Sequence, residues 1–477
     1  MCENCSRRDF LSASAMTGLF LAANEARGQA GPHATSAKGK PKKHRIAAIF
    51  SGNPVPEDRN WGVAKSEIDA ITQRLKQVEA DLGDVEFVVG SAGSAEQTAA
   101  ILNQAGPAAP ALVINCSIGG LLRMVDPILD GGRPLAVFSR PASGHDWMYP
   151  FRWQQEGKPV TMLTTSDNDE LEKAARLLAT PLKLAASKLL IFPPLRGTRP
   201  ACDPKAIKEK LGAEIVIIDD SRFEKLLQSV DEKAALAEAE RWLAGAKKNV
   251  EPTKEDVLKA ARVSLALNQL VAEEDADGLA IATCMRWLAK GFPCLGFTRL
   301  RDRGIPASCE GDMDSLLTMM TFEKMLGIAG FQGNSTFDTA RNMVWTAHCV
   351  GPLKMEGPKS EDAPYLLRSH SEIGGGVVPE IQYRIGQEVT RAKLVNLDTL
   401  LVSTGTIREV PALSTRACRT QIVTEVADSA KMVRNWGGGV LEGEMMTLLH
   451  RVVFYGDHRQ NLRHLADLMK WKVVDEG

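Results

Sequence analysis

Two carboxylates, Glu310 and Asp312, stand in the run Ser308-Cys309-Glu310-Gly311-Asp312-Met313-Asp314. There a β-like stretch turns into an apolar helix that begins Ser315-Leu316-Leu317-Thr318-Met319-Met320. Open α/β layers gather their ligands at the carboxyl ends of strands. Acids at a helix N-terminus are favoured by the helix dipole, so they stay ionised without a local cation. Ionised oxygens converging at such a place are what a hard divalent metal requires. The same residues also read as a capped helix with Asp312 near its start, and from this segment alone both readings stand.

A second chemical segment lies near the far end. Leu449-His450-Arg451-Val452-Val453-Phe454-Tyr455-Gly456-Asp457-His458 reads as a short buried strand with a histidine just before it and an Asp-His pair just after. Two more histidines stand in Ala347-His348-Cys349 and Arg368-Ser369-His370. Together with Cys309-Glu310-Gly311-Asp312 and its helix, these pieces give the chain a C-terminal half that resembles the L-fucose isomerase family and its L-arabinose isomerase relatives. The first half resembles them only in its α/β rhythm.

The resemblance implies an aldose–ketose isomerase working through an enediol, with manganese as the divalent metal. It also implies a homo-oligomer, trimeric or hexameric. A metal that grips neighbouring sugar oxygens polarises the carbonyl and stabilises the oxyanion. A carboxylate base then relays a proton, an effect of about 10²–10⁴-fold. Carried onto this chain, the metal set is Asp312 and His450 with Glu310 assisting, and Glu310 and Asp312 are the catalytic acids. His348, His370 and Arg368 are candidate sugar contacts, each set against a core or solvated role. Asn334, in a loop-like Phe331-Gln332-Gly333-Asn334-Ser335, and Trp436, beside Gly437-Gly438-Gly439, are candidate pocket walls. His458 is assigned to the start of the last helix, and His33, His44 and His464 read as exposed.

One departure matters. The family's first carboxylate falls near the end of an earlier strand, where this chain reads Ile281-Ala282-Thr283-Cys284-Met285-Arg286, with no acid. A chain lacking that acid is either an isomerase using another base or an exported, non-catalytic sugar-binding protein on an isomerase scaffold.

The elements that must position these residues follow from periodicity. Strands are expected at 45–50, 85–90, 111–116, 134–139, 188–192, 214–218 and 278–284, alternating with helices at 64–82, 95–105, 121–129, 231–246 and 254–273. That alternation predicts parallel sheets with helices on both faces. Short Val/Thr/Ile-rich runs at 381–384, 390–396, 399–404 and 406–410 predict antiparallel, barrel-like strands. A helix is expected at 461–469. The fold class is thus α/β: two doubly wound α/β domains (45–185 and 186–346) followed by a β-rich C-terminal domain (347–477).

The 477 residues exceed what one core usually serves. A net charge of −1 gives no support to nucleic-acid binding. Ser6-Arg7-Arg8-Asp9-Phe10-Leu11 is a twin-arginine signature, followed by a weakly apolar stretch (11–23) and a Gly28-Gln29-Ala30 cleavage site. Residues 1–30 are therefore expected to be a leader and 31–44 a linker, the mature protein lying in the periplasm or otherwise outside the cytoplasm without a membrane partner. The apolar stretch is too short for a good spanning helix. Of nine cysteines, Cys2 and Cys5 fall in the leader. The remaining seven are too scattered for a disulfide framework and read as buried small hydrophobes.

Overall fold

The computed structural model describes residues 43–52, 56, 63–116, 119–141, 145–437 and 448–477. The expected twin-arginine leader, Cys2, Cys5, His33, nearly all of the expected linker and Gly438-Gly439 lie outside the described residues. Among the described residues no helix is long and apolar enough to cross a membrane.

Five apolar runs form the first sheet: β1 (His44–Ser51), β2 (Val85–Ala92), β3 (Ala111–Asn115), β4 (Leu135–Ser139) and β5 (Val160–Thr164). They pair in the order β2-β1-β3-β4-β5, all parallel. Both faces are covered, which is why β1 reads as a continuous hydrophobic run rather than an alternation. Ile46, Ala48 and Phe50 pack with Ile71, Leu75 and Leu178 on one side. Ala47 and Ile49 pack with Ile101 and Leu102 on the other.

The next strands are β6 (Lys188–Phe192), β7 (Glu214–Ile217), β8 (Lys248–Asn249), β9 (Gly278–Ile281) and β10 (Ala307–Cys309). All but β8 form a second parallel sheet, in the order β10-β9-β6-β7. The chain leaves β10 through two consecutive left-handed residues, Glu310 (φ 60°) and Gly311 (φ 70°). A side chain at Gly311 would come within 2.8 Å of both Ala282 Cβ and the Pro194 carbonyl, so only glycine fits there. The helix Met313–Leu326 follows. It is buried at nearly every position, as an all-round apolar sequence requires.

The remaining strands are β11 (Phe331–Asp338), β12 (Met343–His348), β13 (Tyr365–Arg368), β14 (Val378–Ile381), β15 (Glu388–Val395), β16 (Thr399–Glu409), β17 (Thr420–Glu425), β18 (His450–Tyr455) and β19 (Lys472–Asp475). Six of them, in the order β15-β18-β11-β12-β17-β16, close into an antiparallel barrel through the β15–β16 pairing. β19 adds in parallel to β16, and β13 pairs with β14 and β8 in a small sheet. Phe331, Val389, Ile407, Ile422 and Val453 come from five barrel strands and meet in one apolar cluster, which marks the lumen-facing side of each. The alternate residues Ala392, Leu400, Val402 and Val452 face outward onto the helices.

Two expectations are corrected here. The segment containing Asn334 is not a loop but the barrel strand β11. A partner strand on each side fixes it despite its Gly/Asn content. His464, expected to be exposed, is buried on the helix Arg459–Met469, its Nδ1 2.8 Å from Thr161 Oγ1 and its Nε2 3.0 Å from Gln460 Nε2.

Burial, helped by nearby Lys173, pushes the His464 pKa down to about 4. Its folded value is thus below the unfolded one, so its contribution to stability is complete above about pH 6.5 and falls away toward pH 4. Wild type minus His464→Gln should therefore lose stability on acidification at up to about 1.4 kcal/mol per pH unit. Urea melts across that window check it, and parallel pH profiles would exclude this role.

Candidate metal centre

Three side chains from three elements converge beside the carboxyl end of β10. Glu310 comes from the left-handed turn after β10, His348 ends β12 and His450 begins β18. β11 lies between the two histidine strands, with Asn334 in register with both Ala347 and His450. The imidazole centroids are 5.4 Å apart. One ligand atom from each of Glu310, His348 and His450 lies within 4.8 Å of the others.

Asp312 explains how His450 is presented. It caps the helix Met313–Leu326, its Oδ1 accepting from the Ser315 backbone N–H at 2.9 Å and its Oδ2 from the Ser315 hydroxyl at 2.6 Å. Oδ2 also accepts from Lys393 Nζ at 2.8 Å and lies 2.9 Å from His450 Nδ1, all in the protein interior. Burial alone would raise the Asp312 pKa, but the Lys393 ammonium and His450 outweigh it and hold the carboxyl below the usual range. An ionised carboxylate can only accept, so His450 turns its Nδ1–H toward Asp312 and its Nε2 toward Glu310. The next acid, Asp314, is pushed the other way, up to about 6, by burial and by Asp312 beside it, although Thr198 donates to it.

His450 Nε2 is buried without a hydrogen-bond partner, 3.6 Å from Glu310 Oε2. His348 is buried with neither ring nitrogen partnered. Burial first, then neighbouring His450, push the His348 pKa down to about 3, so the ring is neutral at neutral pH. Buried polar atoms are rarely left unmatched unless an ion, water or reaction needs them. Two imidazoles and one carboxylate, with one histidine held by an ionised carboxylate behind it, are a donor set that fits a divalent transition metal. Of the metal set expected from sequence, Glu310 and His450 lie in a group that could hold an ion, joined there by His348, while both oxygens of Asp312 are engaged beside His450.

Beyond the cluster the pocket is walled by Cys284, Cys294, Cys309, Cys349, Cys418 and Met285, with His370 and Glu372 on the rim. Cys349 Sγ lies 3.4 Å from Ser371 Oγ. His370 stacks on Phe292 with centroids 4.9 Å apart. Burial opposes its protonation, but its bond to Cys349 outweighs that and raises its pKa. The gathering of five scattered cysteines into one pocket was invisible in the sequence, where each sat in an ordinary apolar run.

The other expected contacts lie elsewhere. Arg368 spends its guanidinium on Glu251, at 2.8–2.9 Å, and on Glu380, clamping β13 to its neighbours. Trp436 donates Nε1–H to the Leu448 carbonyl at 3.2 Å and lies under the Arg451 guanidinium at 3.7 Å. Asn334 serves as the strand partner between the two histidine strands and is not part of the pocket wall. His458 stands at the start of the helix Arg459–Met469, as expected.

No family profile matches the chain, and no curated protein matches it. Among solved structures, a two-component response regulator/GGDEF domain protein aligns with 58% of this chain and 97% of its own length, at 12% identity and a TM-score of 0.26. A superposition of that quality carries no argument about fold or site.

Proposed function

We propose that Glu310, His348 and His450 hold a divalent metal, and that the protein is a metal-dependent aldose–ketose isomerase-like enzyme acting on a sugar or sugar derivative. The observation that supports the metal is the set of unpartnered buried nitrogens facing one carboxylate. The sugar chemistry is supported by the resemblance of the segments that carry these residues. Manganese is the ion the resemblance favours, although Glu/His/His sets accept several divalent ions. The finer architecture, two doubly wound α/β domains before the barrel, belongs to the same proposal.

When bound, the metal would polarise the carbonyl and stabilise the enediol oxyanion. The chain's residues do the rest. Asp312 and Lys393 orient His450, the apolar and thiol wall limits water, and a carboxylate moves the proton. With Glu310 engaged in the cluster, Glu372 is the other carboxylate on the pocket wall. It takes the relay role in place of the acid missing near Cys284.

The test is exchange of the aldose C2 proton with solvent, measured by NMR in deuterated buffer over a panel of aldoses with manganese-loaded protein. Metal-dependent exchange is expected for at least one sugar. Glu372→Gln should slow it by about 10²-fold or more while leaving metal affinity unchanged. Sugar and metal binding with no exchange on any aldose would replace this reading by that of a non-catalytic sugar-binding protein.

A further inference from the structure

The lumen of the barrel holds a second polar cluster that the metal site does not use. Arg391 lies two residues beyond the lumen-facing Val389 on β15, directly across from Ser403 on β16. It is fully buried, and none of its three guanidinium nitrogens has a hydrogen-bond partner. The Ser403 hydroxyl, 2% exposed, and the fully buried Thr424 hydroxyl are unpartnered as well. Thr424 lies two residues beyond lumen-facing Ile422 and leans over Gly405, where an added Cβ would come within 2.7 Å of its Cγ2. Gly405 is two residues from Ser403, so the three unmatched groups share one stretch of the inner wall.

Charge counting sharpens the point. Lys393, on the same strand, is neutralised by Asp312. Arg451 is neutralised by Glu476, which accepts from Nε at 2.9 Å and from Nη2 at 2.6 Å. Glu476 also accepts from the Gly437 backbone N–H, so its oxygens are committed. Among the described residues no carboxylate bonds Arg391; Glu476, held by Arg451, acts on it only from a distance. An isolated buried ion is strongly disfavoured unless it is paired.

We infer that the barrel interior binds a small monovalent anion, of the size and charge of chloride, at Arg391 with the Ser403 and Thr424 hydroxyls as further donors. One guanidinium with no bonded acceptor calls for a small monoanion. Arginine supplies a fixed fan of N–H donors, and the hydroxyls turn to donate.

The experiment compares thermal melts of the full-length chain in potassium chloride, bromide and glutamate at equal ionic strength, for wild type and Arg391→Met. Wild type should show a saturable rise in Tm with chloride and bromide but not with glutamate, as binding to the folded state alone requires. Arg391→Met should lose that halide-specific rise, and it should melt above wild type in glutamate because it removes a buried charge. Bromide-soaked wild-type crystals should show an anomalous peak within hydrogen-bond distance of the Arg391 guanidinium, a readout that does not need the variant to fold. Melts indifferent to the anion, a halide rise that survives in Arg391→Met, or no bromide peak at Arg391 would overturn the inference.

Discussion

Asp312→Asn should lower the stability of the metal-free protein by about 3–5 kcal/mol, the usual cost of breaking a buried ion pair from one side. The fully buried Lys393 ammonium would lose the Asp312 carboxylate, 2.8 Å away. The same change removes the acceptor that His450 Nδ1–H faces. Metal affinity should therefore drop about 10–100-fold, the typical loss when the partner behind a ligating histidine is removed. Combining Asp312→Asn with Lys393→Met should restore most of the stability and none of the affinity, because only the first effect comes from the stranded charge. Chemical denaturation and metal titration read the two separately. If Asp312→Asn instead eliminated metal binding altogether, Asp312 would itself be a ligand, as its position in the sequence suggests.

His348→Leu should behave in the opposite sense. His348 has two buried, unmatched nitrogens and a pKa pushed down to about 3, both of which burden the metal-free fold. Replacing it by an apolar residue of similar bulk should stabilise the metal-free protein by about 1–3 kcal/mol, the range assigned to an unsatisfied buried polar group. It should also weaken metal binding at least about 100-fold, more than loss of a supporting partner would. A residue whose removal strengthens the fold and abolishes binding is kept for function. Equal stability losses with and without metal would make His348 an ordinary core residue.

The parallel-sheet half was readable because its strands are buried on both faces and stand out as unbroken apolar runs. β6 and the helix Lys254–Glu273 fall where periodicity puts them. β5 was overlooked because Val160-Thr161-Met162-Leu163-Thr164 is short and follows a polar turn. The barrel was harder to read. β16 runs unbroken from Thr399 to Glu409 through Gly405, a residue that reads as a turn until β15 and β17 are known to flank it.

In the site, Glu310 and His450 were legible from their places at strand ends. The proposed exchange of roles between Asp312 and His348 was not. It depends on Lys393, which lies 81 residues beyond Asp312 and reads in sequence as one more surface lysine. Arg368 and Trp436 misled for the same reason, since their partners Glu251 and Arg451 are set by tertiary pairing alone.

The central claim is that Glu310, His348 and His450 meet around one divalent ion. Crystals of the full-length protein grown with manganese, with data collected on both sides of the manganese absorption edge, test it most directly. The account predicts a single strong anomalous peak within coordination distance of the Glu310 carboxylate, His450 Nε2 and one nitrogen of His348, with Asp312 still bonded to Lys393. No peak at that position at saturating manganese, or a peak bound by Asp312 in place of His348, would contradict it.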